Sequence, residues 1–238
     1  YLIIVSILWS FSFGIIKYSL NGVDSSYISF IRSLIALLFF SSISIYNIKK
    51  FTLDLKLILI GALQFGFMYI FYIQSYAYLP AYLIATFTIT TPIFVGLASK
   101  YIAHQSISKS GIYAISLVII GSFLMRINFV NPFDYWVGFL LIQCANLFFA
   151  SGQILFKEWT IKNDGTDILH NFSQMFLGST LVTSLFYLFS ASGSNQLSSE
   201  NLFALIFLGL ISTGLGFLFW NLGLLKVNND KLAVMNNL

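Results

Sequence analysis

The segment GALQFGFMYIFY, residues 61–72, decides the fold because a version of it returns as GLISTGLGFLFW, residues 209–220. Each copy has glycine at its first and sixth positions, and the copies are 148 positions apart. Each lies in an apolar run that is followed by a short break and a further apolar run. A weaker match, 140 positions apart, pairs the run that ends at Lys17 with the run that ends at Lys157. These matches predict an internal repeat.

Apolar runs extend from the repeated segment along the whole chain. Of its 238 residues, 58% are hydrophobic and 8% are charged, whereas an ordinary soluble domain has about 25% charged residues. A soluble fold could not cover so much apolar surface, and a barrel would show alternating segments of about ten residues. The sequence predicts an all-α polytopic membrane protein with helices at 2–20, 27–46, 56–78, 81–101, 108–127, 134–156, 168–190 and 201–225, and a ninth beginning near Lys231.

Lysine and arginine positions predict the orientation of these helices. With a cytoplasmic N-terminus, nine lysines fall in cytoplasmic loops and only Arg126 falls in an outer loop. The repeat copies then cross the membrane in opposite directions, as in the inverted repeats of secondary transporters. We therefore expect a 5+5 bundle of ten helices in the cell inner (plasma) membrane. Residues 1–127 form the first five-helix repeat and residues 134–238 a truncated second one. About eight and a half helices are present, so we expect the chain to be a piece of a longer protein.

Several motifs carry a resemblance to a known family. Trp9, Phe13 and Lys17 have the spacing W-x3-F-x3-K, and residues 91–94 read TPIF. With the repeated segment, these motifs resemble the EamA-type transporters of the drug/metabolite transporter superfamily. The resemblance implies ten helices around a cavity lined mainly by helices 1, 3, 4, 6, 8 and 9, and export or exchange of amino acids, amines, other small metabolites and drugs. Many members of the family have a Gly-Glu pair after helix 4, but residues 103–105 of this chain read AHQ. Any role of the family's glutamate is therefore not transferred to this chain.

Groups that perform catalysis are missing from the predicted spans. The eight acidic residues fall in loops or at helix ends, and neither histidine has a spaced acidic or histidine companion. Cys144 is the only cysteine, which excludes a disulfide framework and a multi-cysteine metal site. The basic residues are few and lie in loops between the predicted spans, so they do not indicate nucleic-acid binding. We therefore predict no enzyme, no cofactor, no metal site and no nucleic-acid partner. The lack of an intramembrane acid leaves two modes of transport open: uncoupled transport or exchange, and coupling through carbonyls and hydroxyls.

Uncharged polar residues within the spans are the candidates for a substrate site. Those of predicted helix 6 follow steps of three and four and so share one helical face, and tyrosines of predicted helix 3 share another. Such groups must turn inward in lipid, where an unpaired amide is costly. The alternative for each is packing or hydrogen bonding between helices. The candidates for the cavity are Tyr69, Tyr72, Thr86, Thr90, Gln143, Asn146, Gln153 and Trp220.

Two charged side chains, Lys17 and Arg32, are predicted inside spans and close to the outer face. Long basic side chains can reach the interface from such depths. Each is therefore an interfacial anchor or an outer gate for an anionic group. Lys17 is also a marker of the repeat, because Lys157 closes the partner helix.

Together these features predict a secondary transporter, a permease or exporter, that carries small metabolites such as amino acids or amines by alternating access. Its partners are a small-molecule substrate and the lipid bilayer, and a homodimer is one option for its assembly. A lipid or hydrophobic-drug flippase on the same fold is the first alternative, and a lateral opening to the bilayer would favour it. A non-transporting membrane scaffold is the second, and a collapsed core would favour it.

Overall fold

The computed structural model describes residues 1–45, 53–124, 133–163, 168–190 and 197–236. These residues form nine helices and no strand, which confirms the predicted all-α fold. In chain order the helices are α1 (Leu2–Ser19), α2 (Ser25–Ile45), α3 (Leu55–Ala77), α4 (Ala81–Tyr101), α5 (Lys109–Leu124), α6 (Phe133–Lys162), α7 (Ile168–Ser190), α8 (Ser199–Leu224) and α9 (Asn229–Met235).

Seven of the nine helices, all except α5 and α9, are long and apolar enough to cross a membrane. Large apolar side chains cover the outside of the bundle; Leu117 is 71% exposed and Phe189 is 88% exposed. Polar side chains such as Gln64, Gln153 and Asn221 are fully buried instead. Lipid accepts an apolar exterior, whereas polar groups must find partners inside. This distribution is typical of a polytopic membrane bundle.

The helix boundaries agree with the predictions except in α6. Helix α3 ends at Ala77 and α4 begins at Ala81, on either side of Pro80, because proline disfavours helical backbone in the residue before it. Helix α6 was expected to end near residue 156, but it continues to Lys162. The length of an apolar run indicates only the part of a helix that spans lipid. A helix can continue beyond that part with polar residues, as α6 does.

Both copies of the repeated segment contain a widened, π-helical turn. In α3 it covers Ala62–Phe67, and in α8 it covers Leu208–Leu215. Such turns are rare and are found most often at functional sites. The two turns occupy matching positions in the repeat and lie in the part of each helix that faces the centre of the bundle.

Glycines allow the close helix contacts that hold the bundle together. A Cβ added at Gly61 of α3 would lie only 1.9 Å from the carbonyl oxygen of Met175 in α7. Gly209, Gly216 and Gly223 of α8 also pack closely, because a Cβ added at each would lie 2.8 Å from a side-chain atom of α1 or α2. Small residues of this kind let transmembrane helices approach closely.

Candidate functional site

A cavity of about 470 Å³ lies inside the bundle. Side chains of α1, α3, α4, α6, α8 and α9 line it, together with Arg32 of α2. These six helices are the ones that the family resemblance implies. The volume lies within the range of about 300 to 1,000 Å³ that is usual for ligand pockets. A non-transporting scaffold would predict a collapsed core, and this core is not collapsed.

One face of α1 forms a wall of this cavity. Ser6, Trp9, Ser10 and Phe13 line it, at the spacing of residues that share a helical face. The indole Nε1 of Trp9 donates a hydrogen bond of 2.9 Å to the carbonyl of Ser212, which lies in the π-helical turn of α8. The widened turn thus fixes the Trp9 ring in the cavity wall.

Two of the predicted tyrosines of α3, Tyr69 and Tyr72, line the cavity. The hydroxyls of Tyr72 and Tyr76 are hydrogen-bonded at 2.8 Å. The ring of Phe13 meets that of Tyr72 edge-on, with centroids 6.0 Å apart. Tyr76 is buried behind this pair and is not among the described side chains that line the cavity.

Arg32 is buried inside the bundle. Its side chain is 2% exposed and lines the cavity. Its Nε donates to the Thr213 hydroxyl at 3.1 Å and its Nη2 donates to the Tyr69 hydroxyl at 3.0 Å. Those two hydroxyls are themselves 2.6 Å apart. The guanidinium is therefore held from two sides by α3 and α8 instead of snorkelling to a membrane surface.

Two predicted site threonines of α4 bond mainly to their own helix. Thr86 donates to the carbonyl of Tyr82 at 2.6 Å. The hydroxyl of Thr90 lies 2.9 Å from the carbonyl oxygen of Phe87 and 2.6 Å from Oε1 of Gln143. Neither threonine is among the described side chains that line the cavity. Their placement matches the packing alternative more closely than a substrate contact.

Pro92 brings other threonines of α4 to the cavity. It cannot donate to the carbonyl of Thr88, four residues earlier, and the Thr91 hydroxyl donates to that carbonyl at 2.5 Å instead. The helix tightens into a 3₁₀ turn over residues 88–90. Thr88 and Thr91 line the cavity at this break.

The polar stripe of α6 is divided between helix contacts and the cavity. The side-chain amides of Gln143 and Asn146 donate to the carbonyl of Phe87 at 3.4 and 3.0 Å. Asn146 also donates to the Thr90 hydroxyl at 3.0 Å. Asn146 lines the cavity, whereas Gln143 does not. Through their bonds to Phe87 and Thr90, the two residues also tie α6 to the broken part of α4.

A buried hydrogen-bonded group closes one side of the cavity. The Trp220 indole donates to Oε1 of Gln153 at 3.1 Å, and Nε2 of Gln153 donates to Oδ1 of Asn236 at 3.1 Å. Trp220 and Asn236 line the cavity, and Gln153 lies fully buried behind them. Asn237, the other asparagine near this position, lies outside the described residues.

Lys17 does not line the cavity but holds the end of a neighbouring helix. Its Nζ donates to the carbonyl of Tyr76 at 3.0 Å. Lys157 does the same at the far side of the molecule, where its Nζ donates to the carbonyl of Val227 at 2.6 Å and to Oδ1 of Asn229 at 2.8 Å. Asn229 in turn donates to the Gln105 side chain at 3.1 Å.

Several lining residues were not predicted from the sequence. Ser6, Ser10, Ser212 and Tyr82 line the cavity. The regular spacing of the two α1 serines around Trp9 was the available signal. Serine is too common in these spans for that spacing to identify a site without the neighbouring helices.

The described part of the chain supplies binding groups and not the usual catalytic ones. It holds no group of three or more His, Cys, Asp or Glu that could bind a metal. The described side chains that line the cavity include no carboxylate, and Arg32 is their one cationic group. The cavity thus offers aromatic faces, hydroxyls, amides and a positive charge, which together can hold a small molecule without a covalent step.

Comparisons with known proteins agree with this geometry. The sequence model of the EamA-like transporter family matches residues 1–127. The chain is 32% identical to the biotin transporter of Salmonella typhimurium over 245 residues, covering 100% of this chain and 79% of that protein. The corresponding figures are 30% identity over 242 residues for the biotin transporter of Escherichia coli, with 79% of it covered. The chain is also 31% identical over 241 residues to a probable biotin transporter of Pseudomonas aeruginosa, covering 84% of that protein.

A solved crystal structure has the same fold. It matches with a TM-score of 0.76 at 13% sequence identity, over 98% of this chain and 80% of the other.

Proposed function

Because the chain belongs to the EamA-like transporter family, it is a multi-pass membrane transporter of small metabolites rather than an enzyme, and we propose that its substrate is biotin or a closely related small carboxylate. The observation that carries this proposal is the cavity of about 470 Å³. The names of the relatives favour biotin within the broader class of small metabolites. They favour it over the amino acids and amines expected from the sequence.

The chemistry of the cavity wall suits the parts of such a molecule. Biotin has a sulfur-containing ring fused to a ureido ring, and an apolar chain that ends in a carboxylate. The rings of Trp9, Phe13 and Trp220 offer apolar faces, and Tyr72 and Asn146 offer hydrogen-bonding groups. Binding sites for small molecules commonly combine an apolar lining with a few placed polar groups.

Alternating access is the mechanism that we propose. The two halves of an inverted repeat, 1–127 and 134–238, would move against each other around the cavity. Matching π-helical turns in α3 and α8 support this division. The excess of lysines in every second loop supports a cytoplasmic N-terminus in the inner membrane. Since the described lining has no carboxylate, the proposal does not include proton coupling through an acid in the cavity.

Transport by the full-length protein in proteoliposomes tests this proposal. Vesicles loaded with unlabelled biotin should accumulate labelled external biotin by exchange. The same vesicles should exchange amino acids and amines less. Tyr72→Ala, which removes a ring and a hydroxyl from the cavity wall, should lower the initial rate by about tenfold or more. Tyr113→Ala is the matched control, because Tyr113 is 72% exposed on the outside of the bundle, and it should keep the rate of the wild type.

Each outcome has a defined meaning. Exchange of an amino acid or amine without biotin would reject the proposed substrate and keep the transporter. Movement of labelled lipid without exchange of any solute would favour the flippase. Equal rates for Tyr72→Ala and the wild type would remove Tyr72 from the site.

A further inference from the structure

Arg32 carries a positive charge inside the bundle without an acidic partner among the described residues. Its interactions are the bonds to Thr213 and Tyr69 and the Tyr69 ring, whose centroid lies 4.4 Å from Cζ. Both hydroxyls and the ring are uncharged partners. Its Nη1 is buried and has no hydrogen-bond partner among the described residues.

Such an arrangement is unfavourable unless another group compensates for it. Burying a charge is costly without a partner of opposite charge, and a buried donor without an acceptor adds to that cost. A structural role would be served by an uncharged side chain that makes the same contacts with Thr213 and Tyr69. The placement of this guanidinium in the wall of the cavity indicates that a ligand supplies the opposite charge.

We propose that the guanidinium of Arg32 is the binding site for the carboxylate of the transported molecule. This inference rests on the proposed transport function and adds the residue that binds the carboxylate of the substrate. A planar guanidinium matches a carboxylate in geometry, and charge-assisted hydrogen bonds of this kind are short and strong.

Tyr69 and Thr213 are positioning residues for this group. Nε and Nη2 are occupied by their hydroxyls, so the guanidinium cannot rotate freely. The two residues come from α3 and α8, the helices that carry the matched π-helical turns. A carboxylate bound to Arg32 would therefore interact with both halves of the proposed repeat at once.

The test compares carboxylates with their uncharged amides in the full-length reconstituted protein. One pair is biotin and biotinamide, and a pair unrelated to biotin is N-acetyl-leucine and N-acetyl-leucinamide. Dissociation constants are measured for wild type and variants. In at least one pair the wild type should bind the carboxylate about 10- to 100-fold more tightly than the amide, the range expected for a hydrogen bond to a charged group.

Variants then assign this preference to Arg32. Arg32→Gln should abolish the preference while retaining affinity for the amide, which reports that the protein is folded. Arg32→Lys should keep part of it. Tyr69→Phe retains the ring but removes the hydroxyl that orients Nη2, and it should weaken the preference without abolishing it. Lys100→Gln removes an exposed positive charge outside the cavity and should leave the preference unchanged.

The outcomes separate this inference from the proposed substrate. Equal affinity for acid and amide in both pairs, or an undiminished preference in Arg32→Gln, overturns the role of Arg32. Exchange of biotin and biotinamide at equal rates, together with equal affinity for acid and amide in both pairs, keeps the proposed transport and overturns the carboxylate site. Arg32-dependent binding of N-acetyl-leucine without binding of biotin keeps the carboxylate site and rejects biotin. Failure of the wild type to bind either acid overturns both.

Discussion

Lys17 and Lys157 occupy matching positions, 140 residues apart, and each holds the end of a helix at a different side of the molecule. Lys17 of α1 donates to the carbonyl of Tyr76 in the last turn of α3, and Lys157 of α6 donates to that of Val227, just beyond the end of α8. Carbonyls at the C-terminal end of a helix lack helical donors and carry partial negative charge, so a lysine is well placed there. The similarity supports the proposed inverted repeat.

The side chains one helical turn before each lysine contact a neighbouring helix, and these two contacts differ in chemistry. Near Lys17 the ring of Phe13 meets the ring of Tyr72. At the matching positions near Lys157, Gln153 accepts a hydrogen bond from Trp220. The first contact is apolar and half-buried, whereas the second is a buried polar group. We expect the two sides to separate at different free-energy cost, as a transporter with two unlike gates requires.

At the centre of the bundle, one contact between α3 and α8 also corresponds to another contact between them when each residue is replaced by the one 148 positions away. The rings of Phe65 and Phe217 stack with centroids 4.5 Å apart. The matching pair is Thr213 and Tyr69, whose hydroxyls are 2.6 Å apart. An apolar stack on one side thus corresponds to the hydroxyl pair that holds Arg32 on the other. The matching positions of the proposed repeat thus carry different side chains, which make the cavity asymmetric.

The largest effect should come from breaking the matched glycine contacts of α3 and α8. A Cβ added at Gly61 would lie 1.9 Å from a backbone oxygen of Met175, whereas one added at Gly209 would meet the Ile35 side chain at 2.8 Å. Backbone cannot move aside as a side chain can. Gly61→Ala should therefore lower the free energy of unfolding by about 3 kcal/mol or more, and Gly209→Ala by about 1 kcal/mol.

Thermal unfolding in detergent, followed by tryptophan fluorescence, measures both changes. Gly14→Ala is the control, since no atom lies within 4 Å of its added Cβ, and it should not lower the midpoint. Equal losses for Gly61→Ala and Gly209→Ala would contradict the tighter contact of α3 with α7.

The second comparison sets Gln153→Leu against Phe13→Leu. The first change leaves the buried Trp220 indole without its acceptor and removes the bonds to Asn236, whose Nδ2 still donates to the carbonyl of Leu232. It should cost about 1 to 3 kcal/mol of stability. The second only trims a half-buried ring and should cost about 1 kcal/mol or less. The same unfolding assay ranks them. A smaller loss for Gln153→Leu would mean that the Trp220 side is not closed by these hydrogen bonds.

Much of the fold could be predicted because it depends on local features of the sequence. The length of each apolar run gives the spans, Pro80 separates α3 from α4, and the glycines at 61 and 209 mark the repeat. The extension of α6 to Lys162 was not predicted, because hydropathy reports lipid contact and not helix length. The π-helical turns also could not be predicted, since they depend on contacts with other helices.

The candidate site was less predictable because it depends on which helices become neighbours. Of the candidates, Tyr69, Tyr72, Asn146 and Trp220 line the cavity. Gln153 has the same polarity and the same helical face as Asn146, yet its amide is taken up by hydrogen bonds to α8 and α9. Only the packed structure shows which polar groups have partners and which remain for a ligand.

The smallest effect should come from the two lysines with which the comparison began. Lys157→Met removes two hydrogen bonds and Lys17→Met removes one, while methionine keeps most of the apolar stem. We expect losses of about 1 to 2 kcal/mol for Lys157→Met and about 1 kcal/mol or less for Lys17→Met. Unfolding midpoints of the two variants and of the double variant measure this order, and because the sites are far apart their losses should add. A larger loss for Lys17→Met would contradict the hydrogen bonds of the two lysines as the cause of this order.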